Sequence, residues 1–437
     1  MNDKKQIFGW AMYDWANSAY ITTVSVAVFP LFFSNVIVPK QGFFIGGILF
    51  KATTLLALLS SIYAFIIFLC APVLGAISDF SASKKKFLMT FCYGGSLFSI
   101  LLFFCGSGDV WLAMIFFAIA QIGFVGGNIF YDAFLPQIAS EDKLDRVSGK
   151  GFAYGYIGGG MQFALSLGLI AGHGFFGITY ELAARLAMVM AGLWWAGFSI
   201  FTFVYLRETG TLEHIPEKYR NQPKFITYSI IGIQRTLSTA KKVRRFKHLL
   251  LFLIAFMIYN DGVQTVIKMA AIYGLDELNI PQTNIMITFL IIQFVAFFGA
   301  LLFSWLAEII SAKKALMITL ALWTFVVIYG YYMKSSKEFL MLGVIVGIVL
   351  GGSQALSRSL YGAMIPANAS GEFYGFYSVF AKFSAIWGPA VFAIIDHFYG
   401  SSRYALLSLT LFFIIGLILL SLVNVEKAKA AKRLELF

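Results

Sequence analysis

Long apolar stretches, separated by short polar or glycine-rich links, recur along the whole chain. A membrane-spanning helix needs about 20 apolar residues, and twelve segments reach that length. They fall at approximately 7–34, 52–78, 87–105, 110–136, 149–172, 181–206, 248–272, 283–307, 314–333, 339–366, 372–396 and 403–424. The pattern predicts an all-α integral membrane protein with a long central link over 207–247. Six spans precede that link, in an N-terminal bundle over 1–206. Six follow it, in a C-terminal bundle with a short tail over 248–437. Within the link, Ile226, Ile230, Ile233 and Leu237 recur at helical spacing ahead of Lys241-Lys242 and Arg244-Arg245. That is the pattern of an interfacial helix, which serves as a topology signal or a site for anionic lipid.

The two halves repeat each other. Tyr131-Asp132-Ala133-Phe134-Leu135-Pro136 returns 230 positions later as Tyr361-Gly362-Ala363-Met364-Ile365-Pro366. Asp79, followed by Lys84, Lys85 and Lys86, returns 229 positions later as Glu308 followed by Lys313 and Lys314. Two unrelated patterns sharing one offset imply halves related by duplication in the same direction. A membrane carrier built this way places its site at the seam between them.

Composition narrows the class further. The chain is 59% hydrophobic and 12% charged, about half the charge of a soluble domain. The net charge of +12 does not point to nucleic acid, because the basic residues cluster in links rather than along one polar face. Of 33 Lys and Arg, 24 fall on one side if both termini are cytosolic, five on the other, and Arg185, Lys268, Arg358 and Lys382 lie inside spans. The positive-inside rule therefore places both termini in the cytosol. Cys70, Cys92 and Cys105 all sit in apolar stretches and suggest neither disulfide nor metal. The first apolar run lacks a cleavage site and reads as a retained helix.

Twelve spans in two parallel halves resemble the major facilitator superfamily. Gly75-Ala76-Ile77-Ser78-Asp79 with Lys84-Lys85-Lys86 resembles that superfamily's acidic–basic loop, with Phe80 where an Arg is usual. A narrower match is Trp10-Ala11-Met12-Tyr13-Asp14-Trp15-Ala16-Asn17-Ser18-Ala19, similar to the opening helix of the UMF1 family, which contains the Atg22-like vacuolar effluxers. Tyr259-Asn260-Asp261-Gly262-Val263-Gln264-Thr265 and Gly351-Gly352-Ser353-Gln354-Ala355-Leu356-Ser357-Arg358-Ser359-Leu360-Tyr361 resemble the same family. The resemblance implies an amino acid as the leading candidate solute. It also implies that helices 1, 4, 7 and 10 line the central cavity, and that Asp79, Lys84, Lys85, Glu308 and Lys313 latch the cytosolic side.

Ionisable groups in the bilayer interior are costly and call for partners or a wet cavity. Asp14, Asp132, Asp261 and Arg358 fall on spans 1, 4, 7 and 10; Lys268 and Lys382 fall on spans 7 and 11. At 1.5 Å per residue, Asp14, Arg358, Lys382 and Asp261 lie roughly 10–20 Å deep. Asp132 lies only about 6 Å from its helix end, where a gate contact and a substrate role are equally open. Lys268 is near the far end and can snorkel. Arg358 and Lys382 are expected to bind an anionic group of the solute, the alternative for each intramembrane charge being a static salt-bridge network that only holds helices together. Asp14 and Asp261 are expected to carry protons, or else to hold an ammonium. Tyr13, Trp15, Asn17, Tyr259, Asn260, Gln264, Gln354 and Trp387 supply polar and aromatic lining. Gly151, Gly155 and Gly159, with Gly158 and Gly160, form a ladder for close helix packing. Gly388-Pro389 is expected to break span 11.

No catalytic or metal-ligand pattern accompanies the four histidines. Ser148-Gly149-Lys150-Gly151 looks like the end of a phosphate-binding loop but lacks the Ser/Thr after Lys and a preceding strand. The expected protein is a monomeric, non-enzymatic, proton-coupled secondary transporter of a small polar or amphipathic solute, in a bacterial inner membrane and without cofactor. A transporter-fold receptor or scaffold is the alternative.

Overall fold

The apolar runs do become helices. The structure is a computed structural model that describes residues 1–208, 216, 219, 222–384 and 387–433. Its helices are α1 (Lys4–Ile37), α2 (Ala52–Phe80), α3 (Lys84–Phe104), α4 (Val110–Ile138), α5 (Leu144–Ala171) and α6 (Tyr180–Tyr205). The linker helix α7 (Lys224–Arg245) follows, then α8 (Lys247–Ile272), α9 (Gln282–Ile310), α10 (Ala312–Tyr332) and α11 (Ser336–Met364). The chain closes with α12 (Ser370–Phe383), α13 (Trp387–Tyr399), α14 (Ser402–Leu422) and the tail helix α15 (Val425–Arg433). Among the described residues, eleven helices are long and apolar enough to cross a membrane, α12 and α13 counting as one. The exception is α5, which has 28 residues but carries glycine and polar groups where its neighbours carry Leu and Phe.

Two hydrophobic cores follow the two halves of the sequence. One runs from Trp10 to Leu206 and borrows only Ala363. The other runs from Leu249 to Ala428 and borrows Ile67, Ala71, Val125, Ile129 and Ala133 from α2 and α4. Between them, α5 packs on α1 of its own half and on α9 and α11 of the other. Its glycines explain how. A Cβ at Gly158 would lie 2.4 Å from the Trp15 carbonyl oxygen of α1, and one at Gly160 would lie 3.2 Å from Gln293 Cβ of α9. The ladder thus serves both α1 and α9. Loss of large side chains on α5 is what brings backbones this close.

Three local features depart from uniform spans. The first helix carries π-helical turns over Tyr20–Val28 and Phe33–Ile37. A two-stranded hairpin, β1 (Phe43–Ile45) and β2 (Ile48–Phe50), joins α1 to α2 through Gly46-Gly47 at φ +57° and +83°. Two glycines with positive φ are the standard tight hairpin turn. Span 11 breaks after Phe383, as Gly388-Pro389 suggests, and Pro389 occupies the first turn of α13. There its missing N–H is harmless, since first-turn donors have no partner within the helix. In the linker, Ile226, Ile233 and Leu237 are exposed while Ile231 is buried, and Gly232 of α7 lies against Ile77 of α2.

These contacts give a direct test of the ladder. Gly158→Val should lower the thermal midpoint of the purified protein, because overpacking costs about 1–3 kcal/mol. Gly168→Ala, on the same helix with open space around it, should leave the midpoint unchanged. Equal melting of both variants would contradict the packing account.

Candidate functional site

Among the described residues, Asn2 bonds to Ile138 and Ser140 and Lys429 of α15 to Glu141, so the start of the chain, the α4–α5 link and the tail helix share one side, here called the basic face. Along α2, α8, α9 and α11, positions remote from that face line a cavity of about 1160 Å³. The wall there includes Ser60 and Tyr63 of α2, Met269 beyond the middle of α8 and Tyr273 just past its end, and Phe339 near the start of α11. Toward the basic face the cavity ends on Asp14, Phe152, Tyr156, Phe256 and Ser357. It is therefore closed on the basic side.

The closure is built around Arg358, which is 3% exposed. Its Nη1 donates to Asp14 Oδ2 at 3.3 Å and to Asp132 Oδ1 at 3.1 Å. Its Nε donates to the Ser148 hydroxyl at 3.0 Å and its Nη2 to the Ser148 carbonyl at 2.8 Å. The guanidinium plane faces Phe152 at 4.0 Å, Trp10 at 4.8 Å and Tyr131 at 5.3 Å. Tyr131 also donates its hydroxyl to Asp14 Oδ2 at 2.8 Å. Every partner of Arg358 in this group belongs to the first half of the chain and Arg358 to the second, so one side chain stitches the seam. Gly151 makes room for it, since a Cβ there would sit 2.9 Å from Nη2. The Ser148-Gly149-Lys150-Gly151 string, which looked like a phosphate loop, is the clamp and clearance for an arginine.

Nearer the basic face the seam is sealed again. Asp79 is 6% exposed and Lys84 1%, with Lys84 Nζ 2.5 Å from Asp79 Oδ1. The same carboxylate accepts the N–H groups of Gly371 at 3.1 Å and Glu372 at 2.8 Å. Those are first-turn donors of α12, which have no partner within their own helix, and a carboxylate there also meets the positive end of the helix dipole. Gly75 and Gly371 permit the approach: a Cβ at Gly75 would stand 2.2 Å from the Gly371 carbonyl oxygen. Ser370 Oγ donates to the Ala133 carbonyl and Gln137 Nε2 to the Ala367 carbonyl. The tail helix adds Lys429 Nζ to Glu141 Oε1 at 2.9 Å.

The residues singled out from sequence separate into groups. Asp14, Asn17, Tyr259, Asn260, Gln264, Gln354 and Lys382 line the cavity, as does Lys268. Tyr259 pairs its hydroxyl with Ser357 at 2.7 Å, and Gln354 accepts from Tyr156 at 2.6 Å. Among the described residues Lys382 has no ion pair, whereas Arg358 is fully engaged and off the cavity wall. Tyr13 is fully buried, its hydroxyl directed at Gly127, and does not reach the cavity. Trp387 is 62% exposed and also off the wall. Asp261 is 2% exposed and spends its Oδ1 on the Gly388 N–H at 2.9 Å. Of the acidic–basic loops, Asp79 and Lys84 form the buried ion pair at the seam, and Lys85 offers its backbone N–H to Glu208 at 2.8 Å. The second copy differs: Glu308 is exposed, and Lys313 caps α14 through the Ser421 and Val423 carbonyls.

Sequence reading missed the supporting cast of Arg358. Trp10 stands one helical turn before Asp14, and Phe152 one turn after Ser148, so face-sharing was visible along each helix. The meeting of four helices on one arginine was not.

The Asp79–Lys84 pair predicts a measurable coupling. Asp79→Ala leaves Lys84 buried without its counter-charge and two N–H groups without an acceptor, a loss of roughly 3–5 kcal/mol. Asp79→Ala/Lys84→Ala should be less destabilised than Asp79→Ala alone in thermal unfolding. Additive losses would show that the pair is not coupled.

Comparison with known proteins agrees with this geometry. The family model for "Vacuole effluxer Atg22 like" proteins matches residues 2–433. The chain is 34% identical over 426 residues to the "Uncharacterized MFS-type transporter YxiO" of Bacillus subtilis (strain 168), covering 97% of this chain and 95% of that one. It is 30% identical to Autophagy-related protein 22-1 of Neosartorya fischeri over 67% of this chain, and it spans only half the length of that fungal relative. Among solved structures, the proton:xylose symporter XylE matches with TM-score 0.71 at 12% identity, covering 98% of each chain. The human organic anion transporter MFSD10 matches with TM-score 0.66 at 16% identity, covering 95% of this chain and 98% of that one. The fold is that of the major facilitator superfamily, and the Bacillus relative is named as a transporter rather than an enzyme. The resemblance carried by the strings in spans 1, 7 and 10 holds: the chain belongs to the Atg22-like vacuole effluxer family.

Proposed function

We propose that the protein is a proton-coupled secondary transporter of a small amphipathic solute carrying a carboxylate, with amino acids first among the candidates. The observation that carries this reading is Lys382: a cation on the wall of a large, mostly apolar cavity, without an ion pair among the described residues. An ammonium at membrane depth is costly unless water or an anion joins it. A carboxylate-bearing solute supplies that anion, while the apolar wall accepts its side chain. Asn17, Tyr259 and Gln354 offer polar partners along the way. Resemblance to effluxers linked to amino acids supports the same solute class.

Coupling follows from charge arithmetic at the seam. Asp14 and Asp132 share one guanidinium, so the group alternates between a net charge of zero and minus one as it gains or loses a proton. Protonation weakens the attraction that Arg358 exerts across the seam. Asp14 also lines the cavity, so a solute ammonium competes with Arg358 for the same carboxylate. Proton and solute thereby bias one two-state equilibrium. In this reading the bundles over 1–206 and 248–437 rock about the site, the 207–247 segment tethers them, and the protein acts as a monomer. The basic face is cytosolic by the positive-inside rule, in a bacterial inner membrane.

Purified protein in liposomes, given a pH gradient and a panel of radiolabelled amino acids, peptides and organic acids, tests the proposal. Flux of a carboxylate-bearing solute should depend on the gradient and fall by about thirtyfold or more in Lys382→Ala, the cost of removing one partner of a buried charge pair. Asp14→Asn should uncouple flux from protons. Solute binding with no flux in either direction would favour a receptor instead.

A further inference from the structure

We propose that Asn260 and Asp261 form a two-point splint across the break in span 11, and that this splint sets where Lys382 enters the cavity. The inference rests on the proposed role of Lys382 and makes Asp261 a positioning residue rather than a proton carrier.

The first half of the span, α12, ends at Phe383; Ser384 closes it by donating its N–H to the Phe380 carbonyl at 2.9 Å and its hydroxyl to the Ala381 carbonyl at 2.6 Å. Asn260 holds that end, donating Nδ2 to the Ser384 hydroxyl. The second half, α13, is described from Trp387 onward, and Asp261 holds it there by accepting the Gly388 N–H. The two holders are consecutive residues of α8, so both edges of the break are pinned to one helical turn.

Steric fit reinforces the pin. A Cβ at Gly388 would lie 2.0 Å from Thr265 Oγ1 and 2.8 Å from Asp261 Oδ1, so α13 starts in direct contact with α8. Thr265 in turn donates its hydroxyl to the Asp261 carbonyl at 2.7 Å. The electrostatics agree. A helix start inside a membrane exposes donors that lipid cannot satisfy, and a carboxylate both accepts from them and meets the positive dipole end. Lys382 occupies the last turn of α12, the end of a helix that favours a cation. Its ammonium therefore goes wherever the splint fixes that end. Asp261 is 2% exposed and off the cavity wall, whereas Asn260 and Lys382 are on it.

The test reads geometry rather than flux, so it stands apart from the search for a solute. With Cys70, Cys92 and Cys105 replaced by Ser, Lys382→Cys is reacted in liposomes with a charged methanethiosulfonate reagent. Ser25→Cys, on the same cavity wall in α1, serves as control. Asp261→Ala should change the labelling rate at position 382 by about tenfold, the scale of one lost charge-assisted hydrogen bond, and leave position 25 unaffected. Asp261→Asn, which keeps an acceptor for the Gly388 N–H, should preserve both rates. Asn260→Ala removes the other arm, should shift position 382 alone, and decides the matter where Asp261→Ala does not accumulate. An unchanged rate at 382, equal changes at both positions, or Asn behaving like Ala at 261 each overturns the splint.

Discussion

A guanidinium taken out of water must be surrounded by acceptors, and here the acceptors come from the opposite half of the molecule. That constraint on Arg358 organises the seam. Breaking the contact while the halves remain dry would strand a charge in low dielectric, at a cost far above that of an ordinary hydrogen bond. The halves can separate there only if water enters or the carboxylates lose charge. A structural ion cluster of this kind therefore also acts as a condition on motion.

Duplication has been used unevenly. The position equivalent to Arg358 in the first half is Asn128, which accepts from Asn17 at 2.6 Å, and the position equivalent to Asp132 in the second is Gly362. Likewise Asp79 caps a helix across the seam, while Glu308 is exposed and Lys313 caps a helix of its own half. Fold symmetry survives while charge symmetry does not. Beside the Lys429–Glu141 pair the halves leave a cavity of about 520 Å³, bordered also by Asp145 and Lys313.

Much of this was legible in the chain. Apolar run length fixed the helices closely, because in lipid a span has few alternatives to a helix. The intramembrane charges were legible as a set, since each is too costly to keep without a reason. Their pairing was not. Sequence depth puts Arg358 and Lys382 on equal terms, yet one is saturated by Asp14, Asp132 and Ser148, and the other faces the cavity. That difference depends on rotation about helix axes and on which helices meet, and neither is encoded in spacing along one helix. Trp387 shows the same limit: its neighbour Gly388 turns inward to α8, so the indole is left facing outward. The Gly46-Gly47 hairpin was readable from its turn residues but lay hidden between two much stronger signals.

The contact of Gly75 with Gly371 has a mechanical corollary. Where main chain meets main chain, no side chains remain to re-rotate or compress as the helices shift. A displacement of about an ångström removes the carboxylate from both N–H groups of α12 together, since hydrogen bonds weaken steeply with distance and angle. Such a seal has no half-open setting. It resembles a magnetic catch more than a spring.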